Sequence, residues 1–184
     1  MRKKLISMPY RRKAEGKTDY RKRMTLLMSG KPRLVVRRSH NHMLVQVIEY
    51  HEDGDKVLAT AHSSELKKLG WKYGTGNLPS SYLVGLLAGK KALSKGVAEC
   101  IVDLGLQSPV AKSGLYAAVK GAVDSGMAVP HSKESFPDEN RLTGKHISDF
   151  KSEGNQFSRY RKDNLRLDGI TAQFKELKDR IMKV

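Results

Sequence analysis

Hydrophobic positions recur at two different spacings along this chain, and the change of spacing divides it into successive structural stretches. From Lys3 to Lys17 no hydrophobic period is visible, so this stretch reads as an arm without its own fold. Thr18 suits a helix N-cap, with Asp19 in the first turn, where a carboxylate complements the helix dipole. Tyr20, Met24, Leu27 and Met28 follow at helical spacing as one apolar stripe, and Gly30 ahead of Pro32 is a natural stop. The period then shortens to two. Arg33 to Arg38 carries Leu34-Val35-Val36, and Leu44 to Tyr50 alternates Val45 and Val47 with Gln46 and Ile48. Lys56 to His62 is a third, weaker run. The turn-rich separators Ser39-His40-Asn41-His42 and Asp53-Gly54-Asp55 predict an antiparallel three-stranded meander.

After a Gly-rich connection the helical period returns. Asn77-Leu78-Pro79-Ser80-Ser81 opens a helix in which Tyr82, Leu83, Leu86, Leu87 and Leu93 share a face, ending at Gly96. Gly85, Ala88 and Gly89 would let its backbone approach a sheet closely. Val97 to Leu104 reads as a buried strand around Ile101-Val102. A helix from about Ser113 to Ser125 turns Leu115, Ala118, Val119, Ala122 and Val123 inward, and Met127-Ala128-Val129 reads as a last short strand. Strand–helix–strand–helix–strand order implies parallel pairing through right-handed crossovers. The expected fold is therefore α/β with a mixed sheet: the meander, then βαβα units. Phe136 to Gly169 reads as irregular, with a short ordered turn allowed at Lys145 to Phe150. Thr171 to Met182 reads as an amphipathic helix whose stripe of Phe174, Leu177 and Ile181 needs a partner, either this domain or a neighbour. The organisation expected is a basic arm and helix (1–31), an α/β domain (32–135) and a C-terminal extension (136–184).

Charge sharpens this division. The 184 residues carry a formal net charge of +16, and most of it lies at the front. Met1 to Arg38 holds 14 Lys or Arg against Glu15 and Asp19, while no Arg occurs between Arg38 and Arg141. A near-neutral body with a cationic arm points to a polyanionic partner. Six arginines (Arg11, Arg12, Arg21, Arg23, Arg37, Arg38) offer planar donor forks that suit phosphates and stack on bases. The basic clusters Arg2-Lys3-Lys4, Arg11-Arg12-Lys13 and Arg21-Lys22-Arg23 are interleaved with Tyr10 and Tyr20, which suits backbone neutralisation with occasional stacking. Composition alone leaves RNA and DNA both open. The lone Cys100 excludes an internal disulfide framework and fits a reducing compartment. No apolar run qualifies as a signal-peptide core or a membrane span, so a soluble intracellular protein with no membrane partner is expected.

Enzyme motifs fail on inspection. Gly85-Leu86-Leu87-Ala88-Gly89-Lys90 has one residue too few between its glycines for a phosphate loop and lies inside a helix. His40 and His42 lack further ligands for a tetrahedral metal site. Cys100 reads as a small core residue. Asp103 at a strand end could hold a metal for phosphodiester chemistry, but Glu49, Glu99 and Asp124 show no spacing that forces convergence. An acid solvated at the sheet edge is the favoured reading. No cofactor and no catalytic residue is expected.

The motifs also carry a resemblance. Tyr10-Arg11-Arg12-Lys13, Gly16-Lys17-Thr18-Asp19-Tyr20, Ser29-Gly30-Lys31-Pro32-Arg33-Leu34-Val35 and Ala61-His62-Ser63-Ser64-Glu65-Leu66 resemble the archaeal branch of large-subunit ribosomal protein eighteen, whose eukaryotic member is ribosomal protein five. Thr75-Gly76-Asn77-Leu78-Pro79-Ser80-Ser81, Asp103-Leu104-Gly105-Leu106 and Val129-Pro130-His131 match as well, so the resemblance spans about Pro9 to Ser132. It implies a non-enzymatic protein of a cytoplasmic, archaeal-type ribosome that binds 5S rRNA. Such a protein helps dock that RNA onto the 23S-type large-subunit rRNA at the central protuberance, beside neighbouring ribosomal proteins. By this resemblance the RNA-contacting residues are Tyr10, Arg11, Arg12, Lys13, Lys17, Tyr20, Arg21, Arg23, Arg33, Arg37, Arg38, Ser39, Asn41 and His42. The Gly74 to Ser80 loop, through backbone amides and Asn77, is a second candidate surface. A metal-dependent RNA-processing enzyme at Asp103 and a DNA-compacting protein are the competing readings.

Overall fold

One four-stranded sheet organises the chain, in a computed structural model that describes residues 7–150, 157, 158, 160 and 164–183. The strands are β1 (Arg33–Arg38), β2 (Met43–Glu49), β3 (Lys56–His62) and β4 (Ile101–Asp103), in the spatial order β3-β2-β1-β4. β1–β2 and β2–β3 pair antiparallel, and β1–β4 pairs parallel. This is the mixed sheet that the change of hydrophobic period implies. The register places Leu34 beside Val47 and Val36 beside Val45, and all four are fully buried. The alternate residues Leu44, Gln46 and Ile48 are half-buried on the other face.

Two helices cover the inner face: α4 (Leu78–Leu93) and α5 (Gly114–Asp124). Asn77 caps α4 by accepting the Ser80 amide at its Oδ1 (2.9 Å). α4 is buried on every side from Pro79 to Gly89, not on one face. The sheet, α5 and the C-terminal helix each take part of its surface. The glycines of α4 serve the neighbouring helix, not the sheet. A Cβ at Gly85 would lie 1.9 Å from the Ala118 carbonyl oxygen, and one at Gly121 of α5 would lie 2.1 Å from that of Tyr82. The backbones therefore touch in both directions.

The remaining elements are small. They are α1 (Arg11–Ala14), α2 (Tyr20–Leu27), α3 (Ser63–Lys68), α6 (Glu139–Leu142), α7 (Lys145–Ser148) and α8 (Ile170–Met182). α3 starts from a capping box in which His62 Nδ1 accepts the Ser64 amide and Glu65 accepts that of His62. α8 buries Ile170, Phe174, Leu177 and Ile181 against α4 and α7, so its stripe is satisfied within this body. Arg180 donates to the Leu69 carbonyl (2.6 Å), Gln173 to that of Gly70 (2.8 Å) and Lys90 to that of Met182 (2.9 Å), fixing both sides of the helix.

Several expectations need correction. The stretch before Lys17 contains the helical turn α1, and α2 is capped by Asp19, not Thr18. Asp19 Oδ1 accepts the amides of Arg21 and Lys22. Met24 and Met28 are 63% and 81% exposed while Tyr20 and Leu27 are half-buried, so only part of the expected stripe is covered. Ion pairs, described below, hold this helix alongside that partial packing. The strand expected over 97–104 is only three residues long. Its Ile101 and Val102 are half-buried because β4 is an edge strand with one partner. Met127 to Val129 contributes a single parallel bridge, Ala128 to Glu99, not a strand. The expected irregular stretch 136–169 also holds α6, while α7 falls where a short ordered turn was allowed; its residues 151–156, 159 and 161–163 lie outside the described residues. The basic triplet Arg2-Lys3-Lys4 also lies outside them.

Candidate nucleic-acid interface

The outer face of β1 is cationic by simple alternation. Leu34 and Val36 point into the core, which turns Arg33, Val35 and Arg37 outward. Across the parallel pair, Asp103 stands opposite Val35 on that same face. The result is a buried carboxylate between two arginines. Asp103, 6% exposed, accepts from Arg33 Nη1 (2.9 Å), Arg37 Nη2 (3.2 Å) and the Gly105 amide (2.8 Å). Arg37 also donates to the Asp103 carbonyl (2.7 Å). Burial raises the Asp103 pKa, but Arg37, the Gly105 amide and Arg33 outweigh it and hold the carboxyl below its ordinary value. Both carboxylate oxygens face guanidinium groups, so an incoming divalent cation would meet positive charge. The solvated-acid reading of Asp103 is corrected, and the metal reading loses its ligand. Among the described residues no group of three His, Cys, Asp or Glu could hold a metal ion.

The chain of charges continues from the sheet to α2. Arg33 Nη2 pairs with Asp55 (2.7 Å), whose other oxygen takes Arg23 Nη2 of α2 (2.9 Å). Lys22 Nζ donates to the Gly105 carbonyl (3.0 Å). Arg23, Asp55, Arg33, Asp103 and Arg37 thus form one alternating row that fastens α2 over the outer face. Gly105 has a left-handed φ of +61°, and a Cβ there would lie 2.8 Å from the Arg37 guanidinium carbon. A side chain here would push the Arg37 guanidinium off the Asp103 carboxylate, and the left-handed backbone independently favours glycine.

Ahead of α2, Tyr10 packs against Tyr20 at a tilt of 43° with ring centres 5.1 Å apart, and Arg12 Nε donates to Thr18 Oγ1 (2.9 Å). Glu15 is flanked by Arg11 (3.2 Å) and Lys17 (2.8 Å). Arg11, Arg12, Lys13, Lys17 and Arg21 are all exposed. Beyond β1 the chain turns sharply. The Ser39 amide donates to the His42 carbonyl (2.9 Å), and Ser39 Oγ accepts the His42 amide (3.1 Å). Arg38 and Gln107 exchange two bonds, amide to side-chain oxygen (3.0 Å) and side-chain nitrogen to carbonyl (2.6 Å). Thr75 Oγ1 donates to the Asn41 carbonyl (2.8 Å), and His42 Nδ1 lies 3.0 Å from Ser63 Oγ. The Gly74 to Asn77 loop is therefore stapled to the Ser39 to His42 turn.

The sequence-derived residues fall into three groups. Arg12, Lys13, Lys17, Tyr20, Arg21 and Arg37 line two adjoining cavities with half-buried Arg23, while Tyr10 packs on Tyr20 and Arg11 on Glu15 outside them. Arg38, Ser39 and Asn41 are exposed on the adjoining turn, with His42 half-buried behind them. Arg33 and Asn77 serve the structure beneath. Arg33 is 4% exposed and spent on two carboxylates, and Asn77 Oδ1 is spent on the helix cap. Sequence reasoning left out Asp55 and Gln107, and took Lys22 only as part of a basic triplet and Leu106 only as part of a matching motif. Asp55 looked only like a turn residue, and no periodicity signals a contact between positions so far apart.

Elsewhere the chemistry is quiet. Cys100 is fully buried, and burial pushes its thiol up to about 11, which suits a core residue. No helix among the described residues is long and apolar enough to cross a membrane.

A family model described as "Ribosomal large subunit proteins 60S L5, and 50S L18" matches residues 4–99, a little over half of the chain. The matched span holds α1, α2, the meander, α3 and α4, and with them most of the cationic groups just described. Asp103, Leu106 and Gln107 lie just beyond it.

Proposed function

We propose a function from the premise that this chain belongs to the family of large-subunit ribosomal proteins 60S L5 and 50S L18. As a member it is an rRNA-binding constituent of the large ribosomal subunit and serves translation. The finer reading is that it binds 5S rRNA and fastens it to the large-subunit rRNA at the central protuberance, by binding and not by catalysis. Residues 1–31 would supply the RNA-binding part, 32–135 the α/β body and 136–184 an extension packed onto it.

One observation carries this reading. The row from Arg23 to Arg37 fixes α2 on the sheet and leaves Arg12, Lys17 and Arg21 exposed beside it and able to meet phosphates. Arg12 and Lys17 are held only by surface contacts to Thr18 and Glu15, and the exposed Arg38 turn lies at the end of β1. A rigid cationic surface of this kind suits the shape and backbone of a folded RNA. The donor forks are held before the RNA arrives, so less ordering is needed on binding. The direct test is to strip large subunits progressively with salt and magnesium depletion. The chain is expected to leave together with 5S rRNA as one complex. Retention on the subunit after 5S rRNA has gone would overturn the assignment.

A further inference from the structure

The cleft beside α2 does not end at Tyr20. It adjoins a second cavity, and the two measure about 470 and 410 Å³. Thr18, Asp19, Tyr20 and Leu106 line both, so they form the waist of one trench. One end runs to Arg12 and Arg37, the other to Lys13 and Arg21. Each half lies within the range of about 300–1,000 Å³ that holds small-molecule-sized groups.

The waist is apolar where the ends are cationic. Leu106 is 57% exposed on the loop after β4, so more than half of an apolar side chain is left facing the trench and solvent. Tyr20 is half-buried, lines both cavities and has Tyr10 tilted against its ring, which limits the ring's freedom. The acids along the trench are already committed. Asp19 caps α2, while Asp55 and Asp103 are held by arginines. A surface for phosphates alone would have no use for a leucine at its centre. A flat aromatic ring and an aliphatic side chain between two cationic ends match an unstacked base with a phosphate on either side.

We propose that this trench takes one unpaired nucleotide of an rRNA, its base lodged between Tyr20 and Leu106 and its flanking phosphates met at the two cationic ends. The inference rests on the cationic face being an rRNA-binding surface. A base still stacked in a duplex cannot enter, so the trench selects single-stranded or extruded positions.

The test uses the full chain and an oligoribonucleotide of about ten nucleotides, within the site sizes common for single-strand binders, carrying one 2-aminopurine. The same strand annealed to its complement and intact 5S rRNA serve as the other two arms. Protein should quench the 2-aminopurine emission of the single strand and leave that of the duplex unchanged. Tyr20→Leu should weaken single-strand binding roughly ten- to a hundred-fold, the loss expected for one stacked base. Leu106→Arg lies on an exposed loop and adds a cation. It should abolish the quench even though the added cation strengthens the general attraction for phosphates. Binding of the single strand with unchanged emission, or a quench that survives Leu106→Arg, would overturn the proposal. So would an acidic peptide binding at the trench in place of the single strand. If 5S rRNA also fails to bind, the rRNA reading of the whole face falls with it; if 5S rRNA binds and the base stays unquenched, only the trench reading falls.

Discussion

At the scale of single residues, Asp103 is the position on which the cationic face depends. It sits where a period-two pattern puts it, on the outer face beside Val35, yet it is nearly as buried as the core. The alternation of β1 made the orientation of Arg33 and Arg37 legible. What lies across the sheet from them was not, because pairing partners are set by topology and not by local spacing. Asp103→Asn leaves Arg33 buried with one carboxylate fewer, and breaking such a pair costs about 3–5 kcal/mol. A urea melt at neutral pH should show that loss. The sign with pH follows from a folded pKa below the ordinary carboxyl value of 3.8. The stabilisation is complete above that value and is lost as pH falls through the lower, folded one. The stability gap between wild type and Asp103→Asn should therefore narrow as the solution is acidified below about pH 4. A gap that stays constant through this range would show that the ionised carboxylate is not what holds the arginines.

At the scale of elements, the strands and long helices were legible and their attachments only partly so. β1, β2 and β3 lie within a residue of the runs read from their β-branched and alternating residues; β2 and β3 bury one face and half-expose the other, whereas β1 is buried on both faces from Arg33 to Val36. α4 was legible in extent but not in environment. Its small residues pointed to a close approach, and the sequence could not say that the neighbour would be α5 rather than the sheet. α2 departs further. Met24 and Met28 have the spacing of a docked stripe, but the helix is turned so that Arg23 reaches Asp55 and Lys22 reaches the Gly105 carbonyl. The helix contact makes a sharp prediction. Gly85→Ala drives a methyl into the Ala118 backbone, an obstacle that cannot swing aside as a side chain would. Overpacking of this kind costs about 1–3 kcal/mol and more when the backbone must shift. The thermal midpoint of Gly85→Ala should drop accordingly, and an unchanged midpoint would mean the two helices can part without cost.

At the scale of the whole molecule, the uneven charge has a mechanical reading. The near-neutral middle supplies a sheet whose outer face carries only the acids needed to pin the arginines. α8 closes the far side on α4, so the amphipathic stripe that might have sought a neighbouring protein is already buried. The cationic front is left as the face open to a polyanion. The measurement that tests this most directly is the affinity of the full chain for 5S rRNA as a function of salt, set beside a variant with Arg12, Lys17 and Arg21 replaced by Gln. If the face neutralises about six to ten phosphates, wild-type affinity should fall roughly a thousand-fold or more between 50 and 200 mM salt, and the variant's slope should be shallower by about two to three. A flat salt response, or equal slopes for the two proteins, would contradict the assignment of this face to RNA.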